Sequence, residues 1–426
     1  MGVLILTLGL AVLLLLGIPA AFSLTGVSLI FLIFDRGLTN IPFNLISQRI
    51  AYGMESYTLL AIPLFILVGQ LMNESGITER IFAFAKAMIG HRKAGLAYVN
   101  VIASLIFAGM SGSAVADAAG LGAVEIKSMT DAGYDLDYSV GITASSALIG
   151  PIIPPSIPVV LYAVFARVSV DKLLIAGVIP GILMGLSLML FIAFDARKKN
   201  YPISKKGTSK EIIETFCKAF FPLLTPAILI GGILFGIFTA TEAAGVAGVY
   251  STILYLVYSK CDIGRLFKII RRTARTSASV LFILASAQLY VTLVIRQKIP
   301  GLFLGAVLSV TEDYWGVLLL LVIFLLICGC FLSTTVTINI ITPFIVPLFI
   351  AVGGDPLYFG IVMIMTLMIG QLTPPFGLVL FAIMGIVDIP FQVLVKSALR
   401  FAIPIVLVVI LILIFPQIVL FLPSMM

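Results

Sequence analysis

Residues 149–156 have the sequence Ile-Gly-Pro-Ile-Ile-Pro-Pro-Ser, and residues 369–375 have the related sequence Ile-Gly-Gln-Leu-Thr-Pro-Pro. Both stretches lie inside long apolar runs. A proline there removes a backbone N–H donor and frees the carbonyl one turn earlier. Each stretch therefore predicts a helix that is interrupted within an apolar segment.

The two stretches belong to an internal repeat, because residues in the first half recur 220 positions later in the second. The offset slips to 219 near the start, where Gly17-Ile18 matches Gly236-Ile237. Chance recurrence of glycine and proline is the alternative, but it does not account for an offset held from Gly109 to Pro375. The matched pairs are Gly109 and Gly329, Ser113 and Ser333, Gly133 and Gly353, Asp135 and Asp355, Tyr138 and Tyr358, Gly150 and Gly370, and Pro154-Pro155 and Pro374-Pro375.

The composition excludes a soluble enzyme. Of 426 residues, 61% are hydrophobic and 11% are charged, less than half of the roughly 25% that soluble domains carry. The net charge of +7 could suggest a nucleic-acid partner, but the basic residues fall between apolar runs. We therefore expect a lipid bilayer as the environment and no nucleic acid. Four cysteines and the single His91 provide neither a zinc motif nor a disulfide framework.

The apolar runs predict about ten membrane crossings. No charge precedes Asp35, and a basic region and cleavage site are lacking, so the first run is not a removable signal peptide. Gly17-Ile18-Pro19 divides it into two short tilted helices, 2–16 and 18–34, with one long kinked helix as the alternative. The further apolar runs are 57–72, 139–165, 173–194, 220–238, 241–258, 276–294, 357–385 and 401–422.

Two other apolar stretches predict re-entrant helical hairpins, at about 97–130 and about 316–350. The first is broken at Gly109-Met110-Ser111-Gly112-Ser113, and the second at Ser333-Thr334-Thr335. Irregular backbone at membrane depth is tolerated only where it is buried in protein or lines a water-filled cavity. The hairpin tips therefore point to a functional site.

The charges predict that the two halves have opposite orientations, through the positive-inside rule. Loop 259–275 has a net charge of +5 and its partner 35–55 has none, while 76–93 has +3 and its partner 296–313 has none. The basic connector 195–219 is expected in the cytoplasm and both termini in the periplasm. We predict an all-α polytopic membrane protein with two inverted repeats, 1–194 and 220–426, each of about five spanning helices plus one hairpin.

Inverted repeats with broken helices are the architecture of secondary transporters. Half-helix ends offer unpaired carbonyls to a cation such as Na⁺ and unpaired N–H groups to an anion. Small residues and prolines that only pack or kink helices are the alternative, but the recurrence of all four elements favours two related cation sites with substrate between them. The candidate residues are Gly109, Ser111, Gly112, Ser113, Gly150, Pro151, Pro154, Pro155, Ser156, Ser333, Thr334, Thr335, Thr337, Asn339, Gly370, Gln371, Thr373, Pro374 and Pro375.

Three acids lie near the apolar interior, where ionisable groups are functional candidates. Asp117 either complements the dipole of the half-helix after the first tip or contributes to the ion site. Glu125 is predicted to approach the cytoplasmic surface beside Lys127, and Glu242 to begin a helix after Thr239. Cys328 and Cys330 lie in an apolar run and are predicted to be packing residues. Gly177, Gly181 and Gly185 have the four-residue spacing of a packing face.

The run from Gly109 to Asp117, the sequence Asp131-Ala-Gly133-Tyr134 and the run from Ile149 to Ser156 together resemble the large membrane subunit of tripartite ATP-independent periplasmic (TRAP) transporters. The resemblance covers the whole chain. It implies a Na⁺-driven elevator-type importer in the bacterial inner membrane. It also implies a small membrane subunit of about four helices and a periplasmic substrate-binding protein that delivers an organic acid, often a C4-dicarboxylate or sialic acid.

Other functions fit the sequence less well. A stand-alone dicarboxylate or citrate symporter of the same architecture would need no binding protein. An intramembrane serine protease is disfavoured, because position 113 breaks the G-x-S-x-G pattern and His91 lies in a basic segment. A structural membrane subunit would explain the hydrophobicity but not the broken hairpins.

Overall fold

The computed structural model of the chain describes residues 1–197, 201–203, 206–259 and 261–426, which form helices and short turns without a β-strand. The predicted cytoplasmic residues Lys198, Lys199, Lys205 and Lys260 lie outside these ranges. Within the described residues, eight helical segments are long and apolar enough to cross a membrane, and five shorter apolar helices accompany them. The all-α polytopic fold class is therefore confirmed.

The helices of the described first half range from six to 18 residues. They are α1 (Gly2–Leu15), α2 (Ala20–Arg36), α3 (Phe43–Tyr52), α4 (Ala61–Glu74), α5 (Ile77–Ile89), α6 (Gly95–Ser111), α7 (Ala114–Ala119), α8 (Leu121–Asp131), α9 (Leu136–Ser146), α10 (Ile157–Ala166), α11 (Val170–Ala176) and α12 (Val178–Asp195).

The helices of the described second half are longer on average. They are α13 (Ser209–Leu234), α14 (Ala240–Tyr258), α15 (Ile263–Arg296), α16 (Ile299–Leu308), α17 (Tyr314–Phe331), α18 (Thr334–Ala351), α19 (Pro356–Gly370), α20 (Leu378–Met384), α21 (Phe391–Ile414) and α22 (Gln417–Leu420).

The helices around the two predicted sites recur at the spacing of the sequence repeat. Helices α6, α7, α9 and α10 begin at residues 95, 114, 136 and 157, and α17, α18, α19 and α20 begin at 314, 334, 356 and 378. The second hairpin differs in one respect, because α18 is continuous where α7 and α8 are separated at Gly120. The opposite orientation of the halves and the boundary of the connector stay predictions.

Helix breaks occur where glycine and proline predict them. Helices α1 and α2 are separate, with Gly17 in a left-handed conformation (φ 78°) between them, so the single kinked helix is excluded. The run 139–165 is divided between α9 and α10, and the run 357–385 between α19 and α20. In both breaks the peptide bond between the two adjacent prolines is cis.

The charged segments predicted as loops are partly helical, which corrects the sequence analysis. Segments 35–55, 76–93 and 296–313 contain α3, α5 and α16, and most of 259–275 belongs to the 34-residue helix α15. An amphipathic helix buries its apolar face against neighbouring helices and exposes its charges on the opposite face. Helix α5 has this pattern, since Ile77, Ile81 and Ala85 are buried whereas Glu79 and Lys86 are exposed.

The helices pack as two groups. The framework group consists of α1–α5 and α13–α15, in which α2 and α4 pack against α15, α4 packs against α14, and α5 packs against α13. The hairpin group consists of α6–α12 and α17–α21. Helix α12 joins it through its glycine face, because a Cβ at Gly181 would meet Ile153 and one at Gly185 would meet Leu105. The predicted packing role of these glycines agrees with these contacts.

Candidate ion and substrate sites at the hairpin tips

The first tip lies directly against the first helix break. Helix α6 ends at Ser111, and Gly112 takes a left-handed conformation (φ 66°) that favours glycine. A Cβ at Gly112 would meet the carbonyl oxygen of Pro155. Ser113 then starts α7, and its Oγ accepts a hydrogen bond from the N–H of Ala116 at 3.4 Å. We call the space between this tip and residues 147–156 the first site.

The Asp117 side chain points into the first site. Its side chain is 2% exposed, and its Oδ1 accepts a hydrogen bond from the Ser111 hydroxyl. Its Oδ2 is buried and has no hydrogen-bond partner among the described residues. A Cβ at Gly150 would collide with that Oδ2. Ser113 caps α7 and Asp117 lies in the first turn of that helix, with its carboxylate between tip and break. Both predicted roles of Asp117, at the helix dipole and at the ion site, therefore stay open.

The first break is buried in the protein. Residues 147–156 are all buried, including Pro151, Pro154 and Pro155. Ser156 Oγ donates to the carbonyl of Pro151 and accepts from the N–H of Val159 at 3.2 Å, which caps α10. Gly109, one turn before the tip, faces the framework group, because a Cβ there would meet the ring of Pro226 on α13.

Glu125 is buried in the protein, so it does not share the exposed surface of Lys127; its predicted position near the cytoplasmic side of the membrane stays a prediction. Its side chain is 1% exposed, whereas Lys127 is exposed. Residues two apart on a helix point to opposite sides, and α8 directs Glu125 toward α6, where the Ser104 hydroxyl lies 3.4 Å from its Oε1. Glu242 behaves as predicted, since it forms a capping box with Thr239 at the start of α14.

The second tip is built from neutral groups. Ser333 starts α18, and its Oγ accepts from the N–H of Val336 at 3.4 Å. Thr337, the counterpart of Asp117, donates to the carbonyl of Ser333 at 3.0 Å. Gln371 of the second break donates through Nε2 to the Thr334 hydroxyl, and its Oε1 is buried without a partner among the described residues. We call the space between this tip and residues 370–377 the second site.

Cys330 lies at the second site, which corrects its interpretation as a packing residue alone. Its sulfur is 2.8 Å from the Thr373 hydroxyl, and its carbonyl accepts from the N–H of Phe376 at 3.3 Å. Gly370 approaches the backbone of Gly329 so closely that a Cβ would collide with it. The two prolines of this break, Pro374 and Pro375, are exposed, so the second site is more open than the first.

Two predicted residues of the second tip have no side-chain hydrogen bond to the break within the described residues. Thr335 is half-buried. Asn339 is fully buried, and neither its Oδ1 nor its Nδ2 has a hydrogen-bond partner among the described residues. Buried polar atoms almost always have partners, so Asn339 marks a further position where an ion, water or solute group can bind.

The two sites are structurally connected, because helices of each half pack against helices of the other half. Helix α7 of the first hairpin packs against α20, which follows the second break. Helix α18 of the second hairpin packs against α10, which follows the first break. Each hairpin is therefore held by both halves of the chain.

The oxygens left without partners suit a hard cation. Asp117 Oδ2, Gln371 Oε1 and Asn339 Oδ1 are buried acceptors that no donor in the described residues satisfies. An unpaired buried carboxylate is expensive, and oxygen ligands from carboxylates, amides and hydroxyls satisfy alkali and alkaline-earth cations. The donor set thus fits Na⁺ at both sites, with a formal charge only at the first.

A polar cavity of about 320 Å³ opens where the framework group meets the first hairpin. It lies between α4–α5 and α7–α8, and Arg272 of α15 reaches it. Cavities of roughly 300–1,000 Å³ accommodate small molecules. Its polar lining residues are Gln70, Asn73, Glu74, Thr78, Glu79 and Arg272, none of which was singled out from the sequence.

Comparison with known proteins gives a consistent result. Residues 7–418 match the family model of the tripartite ATP-independent periplasmic transporter, DctM component. The chain is 42% identical over 410 residues to the sialic acid TRAP transporter large permease protein SiaM of Vibrio cholerae, covering 96% of this chain and 95% of that protein. It is 37% identical to the C4-dicarboxylate TRAP transporter large permease protein DctM of Pseudomonas aeruginosa, covering 87% of each.

The fold also has a distant solved counterpart. The crystal structure of the Alcanivorax borkumensis YdaH transporter superposes with a TM-score of 0.66 at 13% sequence identity, covering 94% of this chain and 97% of that one. At this identity the similarity concerns the fold alone.

Proposed function

The chain belongs to the DctM family of large TRAP transporter permeases, and from that premise we propose that it carries out Na⁺-coupled uptake of a carboxylate-bearing organic solute. It is a multi-pass membrane permease and not an enzyme. We place it in the inner membrane with both termini in the periplasm. The observation that carries the coupling proposal is the buried Oδ2 of Asp117 between the first tip and the first break, which has no hydrogen-bond partner in the described part of the chain.

The solute belongs to the sialic acid or C4-dicarboxylate class. Relatives named for these two classes of carboxylate match nearly the whole chain. A small membrane subunit of about four helices and a periplasmic substrate-binding protein complete the transporter. The polar cavity beside the first hairpin has a size suited to such a solute. Arg272 supplies a guanidinium there, 3.8 Å from the Glu74 carboxylate, and a solute carboxylate would compete with Glu74 for it.

Transport proceeds by an elevator movement of the hairpin group along the framework group. Crossed packing joins both hairpins and both broken helices into one body. Contacts to the framework are made chiefly by α6, which packs against α4, α5 and α13, and by α18, which packs against α15. Helices α8, α10 and α11 add smaller contacts. Sodium bound at the tips neutralises Asp117 and completes the unpaired amide oxygens, which lowers the cost of moving these groups through the membrane.

The coupling is tested in proteoliposomes that contain the chain, the small subunit and the binding protein. We expect an inward Na⁺ gradient to drive accumulation of the solute, and an equal K⁺ gradient to drive none. Equal uptake with both cations would refute the coupling. Uptake that persists after the binding protein is omitted would instead favour the stand-alone symporter.

The role of the tips is tested separately. Ser113→Leu and Ser333→Leu each introduce a bulky apolar side chain at a tip, and we expect both to abolish uptake while the protein remains inserted. Gly231→Ala on α13 serves as the control, because a Cβ there has open space around it. Unchanged uptake in both serine variants would remove the tips from the mechanism.

A further inference from the structure

The first turns of helix α15 expose an apolar face beside a basic face. Ile263, Phe267 and Ile270 have the i, i+4, i+7 spacing of one helix face, and they are 58%, 69% and 46% exposed. At about 100° per residue, the basic residues fall on the adjoining face. All of these are exposed, and they are Arg265, Lys268, Arg271, Arg272 and Arg275. We call residues 263–275 the basic segment.

The third face of the basic segment fixes its depth in the membrane. Ile269 is buried in a small cluster with Leu71 of α4 and Tyr255 of α14. Both partners lie in the last turn of their helices, which end at Glu74 and Tyr258. Because α4 and α14 belong to segments long and apolar enough to cross a membrane, their ends mark its surface. The basic segment therefore lies at the level of the lipid head groups.

The length of α15 agrees with this placement. The helix has 34 residues, whereas roughly 20 are enough to cross the hydrocarbon core. Residues 276–294 are mostly apolar and carry no charge, so they supply the crossing. The surplus at the start of the helix is the basic segment.

Two carboxylates lie close to the basic segment. Arg265 Nε donates to Oε2 of Glu74 at 3.0 Å, and Arg272 Nη1 lies 3.8 Å from Oε1 of the same residue. The Asp262 carboxylate caps α15 by accepting from the N–H of Arg265 at 2.9 Å. Five cations thus face two acids, and the segment keeps an excess of positive charge.

The other three cations are available to an external anion. Lys268, Arg271 and Arg275 form no ion pair within the described part of the chain. A cavity of about 420 Å³ opens beside them between the end of α4 and the basic segment, and Lys268 lines it. Cavities of roughly 300–1,000 Å³ hold small molecules, so a phosphate-bearing head group fits there.

We propose that the basic segment binds anionic phospholipid at the membrane surface. The apolar face contacts acyl chains, and the unpaired cations contact the head-group phosphates. A soluble anion would match the basic face alone, whereas an anionic lipid matches both faces at this depth. The site is separate from the tips and the breaks, and its binding does not depend on the proposed transport function.

Fluorescence quenching tests the lipid contact. The chain has one tryptophan, so Phe267→Trp combined with Trp315→Phe moves the reporter to the apolar face. The purified chain is placed in phosphatidylcholine vesicles that contain either bromine-labelled phosphatidylglycerol or bromine-labelled phosphatidylcholine. We expect both to quench, with phosphatidylglycerol effective at a mole fraction at least about fivefold lower, the effect of one cation near the surface. Absent quenching, or equal quenching by both lipids, would overturn the proposal.

Charge variants in the same reporter background test the basic face. Arg271→Gln with Arg275→Gln should remove most of the preference for phosphatidylglycerol, whereas Arg271→Lys with Arg275→Lys should retain it. Arg296→Gln with Lys298→Gln removes the same charge at the other end of α15 and should leave the preference unchanged. Melting curves verify that the variants are folded. No loss in the first pair, or an equal loss in the control pair, would overturn the proposal.

The small membrane subunit is the competing occupant of this surface. Quenching at position 267 should persist when that subunit is reconstituted together with the chain. If the subunit abolished the quenching, the surface would be a protein interface and the lipid proposal would be wrong. None of these measurements requires uptake, so a failure of Na⁺-driven transport would refute the proposed function alone.

Discussion

At residue 117 the first hairpin carries an aspartate, and 220 positions later the second hairpin carries Thr337. The same contrast extends through the two sites. Every residue of the first break from 147 to 156 is buried, whereas Pro374 and Pro375 of the second are exposed. Equivalent backbones thus hold one acidic, enclosed site and one neutral, more open site. The repeat supplies the geometry twice, and the side chains decide what each copy binds and how tightly.

The largest effect should come from the charge at the first site. Asp117→Asn removes the carboxylate whose Oδ2 has no hydrogen-bond partner among the residues that the structure describes. A hydrogen-bonded charged group contributes about 3 kcal/mol, so we expect the Na⁺ concentration for half-maximal uptake to rise about a hundredfold. Uptake measured against Na⁺ concentration checks this. An unchanged half-maximal concentration would show that the two sites do not differ in this way.

The Na⁺ dependence of uptake should be less sensitive to a substitution at the neutral second site. Gln371→Ala removes the amide that bonds Thr334 at the second site. A neutral hydrogen bond contributes about 1.4 kcal/mol, which corresponds to about tenfold in the same Na⁺ titration. If Gln371→Ala weakened the Na⁺ dependence as much as Asp117→Asn, the charge would not be what distinguishes the sites.

Alanine substitutions at the paired glycines Gly150 and Gly370 should impair the protein for different reasons. An added methyl group at Gly150 meets the Asp117 carboxylate, whereas one at Gly370 meets the backbone of Gly329. We expect Gly150→Ala to weaken the Na⁺ dependence with a modest change in thermal stability. Gly370→Ala should chiefly lower the melting temperature, because backbone cannot move aside as a side chain can. Melting curves of the purified variants, with Gly231→Ala as the neutral control, would separate the two outcomes.

Solvent accessibility should differ between the two breaks when the same side chain, a cysteine, is introduced into each. Ser156 and Phe376 occupy equivalent positions, and their side chains are 0% and 50% exposed. In a background without the four native cysteines, Phe376→Cys should react with a maleimide at least about tenfold faster than Ser156→Cys, since reaction needs an exposed thiolate. Equal labelling rates would contradict an enclosed first break.

The smallest effect is expected at Cys330. A hydroxyl can replace its thiol beside Thr373, so Cys330→Ser should leave the uptake rate within about twofold of wild type, the size of a weak hydrogen-bond change. Cys330→Val keeps the volume but not the polar contact, and we expect it to be the weaker variant. A severe loss in Cys330→Ser would indicate a role for the sulfur itself.

The sequence predicted the breaks well, because glycine, proline and a helix-capping serine act on the backbone at their own positions. The split between α1 and α2, the broken runs and the tips at Gly112 and Ser333 all follow from such local signals. Other features depend on which side of a helix faces a neighbour. Glu125 and Lys127 are two residues apart, and only packing shows that one is buried and the other exposed.

The polar contact of Glu125 with α6 had no local signal either. Its partner Ser104 is unremarkable in an apolar helix, because a serine hydroxyl can bond to the preceding turn. The place of Cys330 beside Thr373 depends likewise on the close approach of Gly329 and Gly370. Small residues suggest that helices approach closely, but they do not say which polar groups meet there.

The crossed packing of α7 on α20 and α18 on α10 has a thermodynamic consequence. A ligand that orders one tip also orders the broken helix that belongs to the opposite site, so part of the ordering entropy for the second ligand is already spent. If both sites bind Na⁺ as proposed, this packing makes their binding positively cooperative, and by linkage the coupling is the same in both directions. Two unequal sites would in this way fill almost together, and partly loaded carriers would be rare.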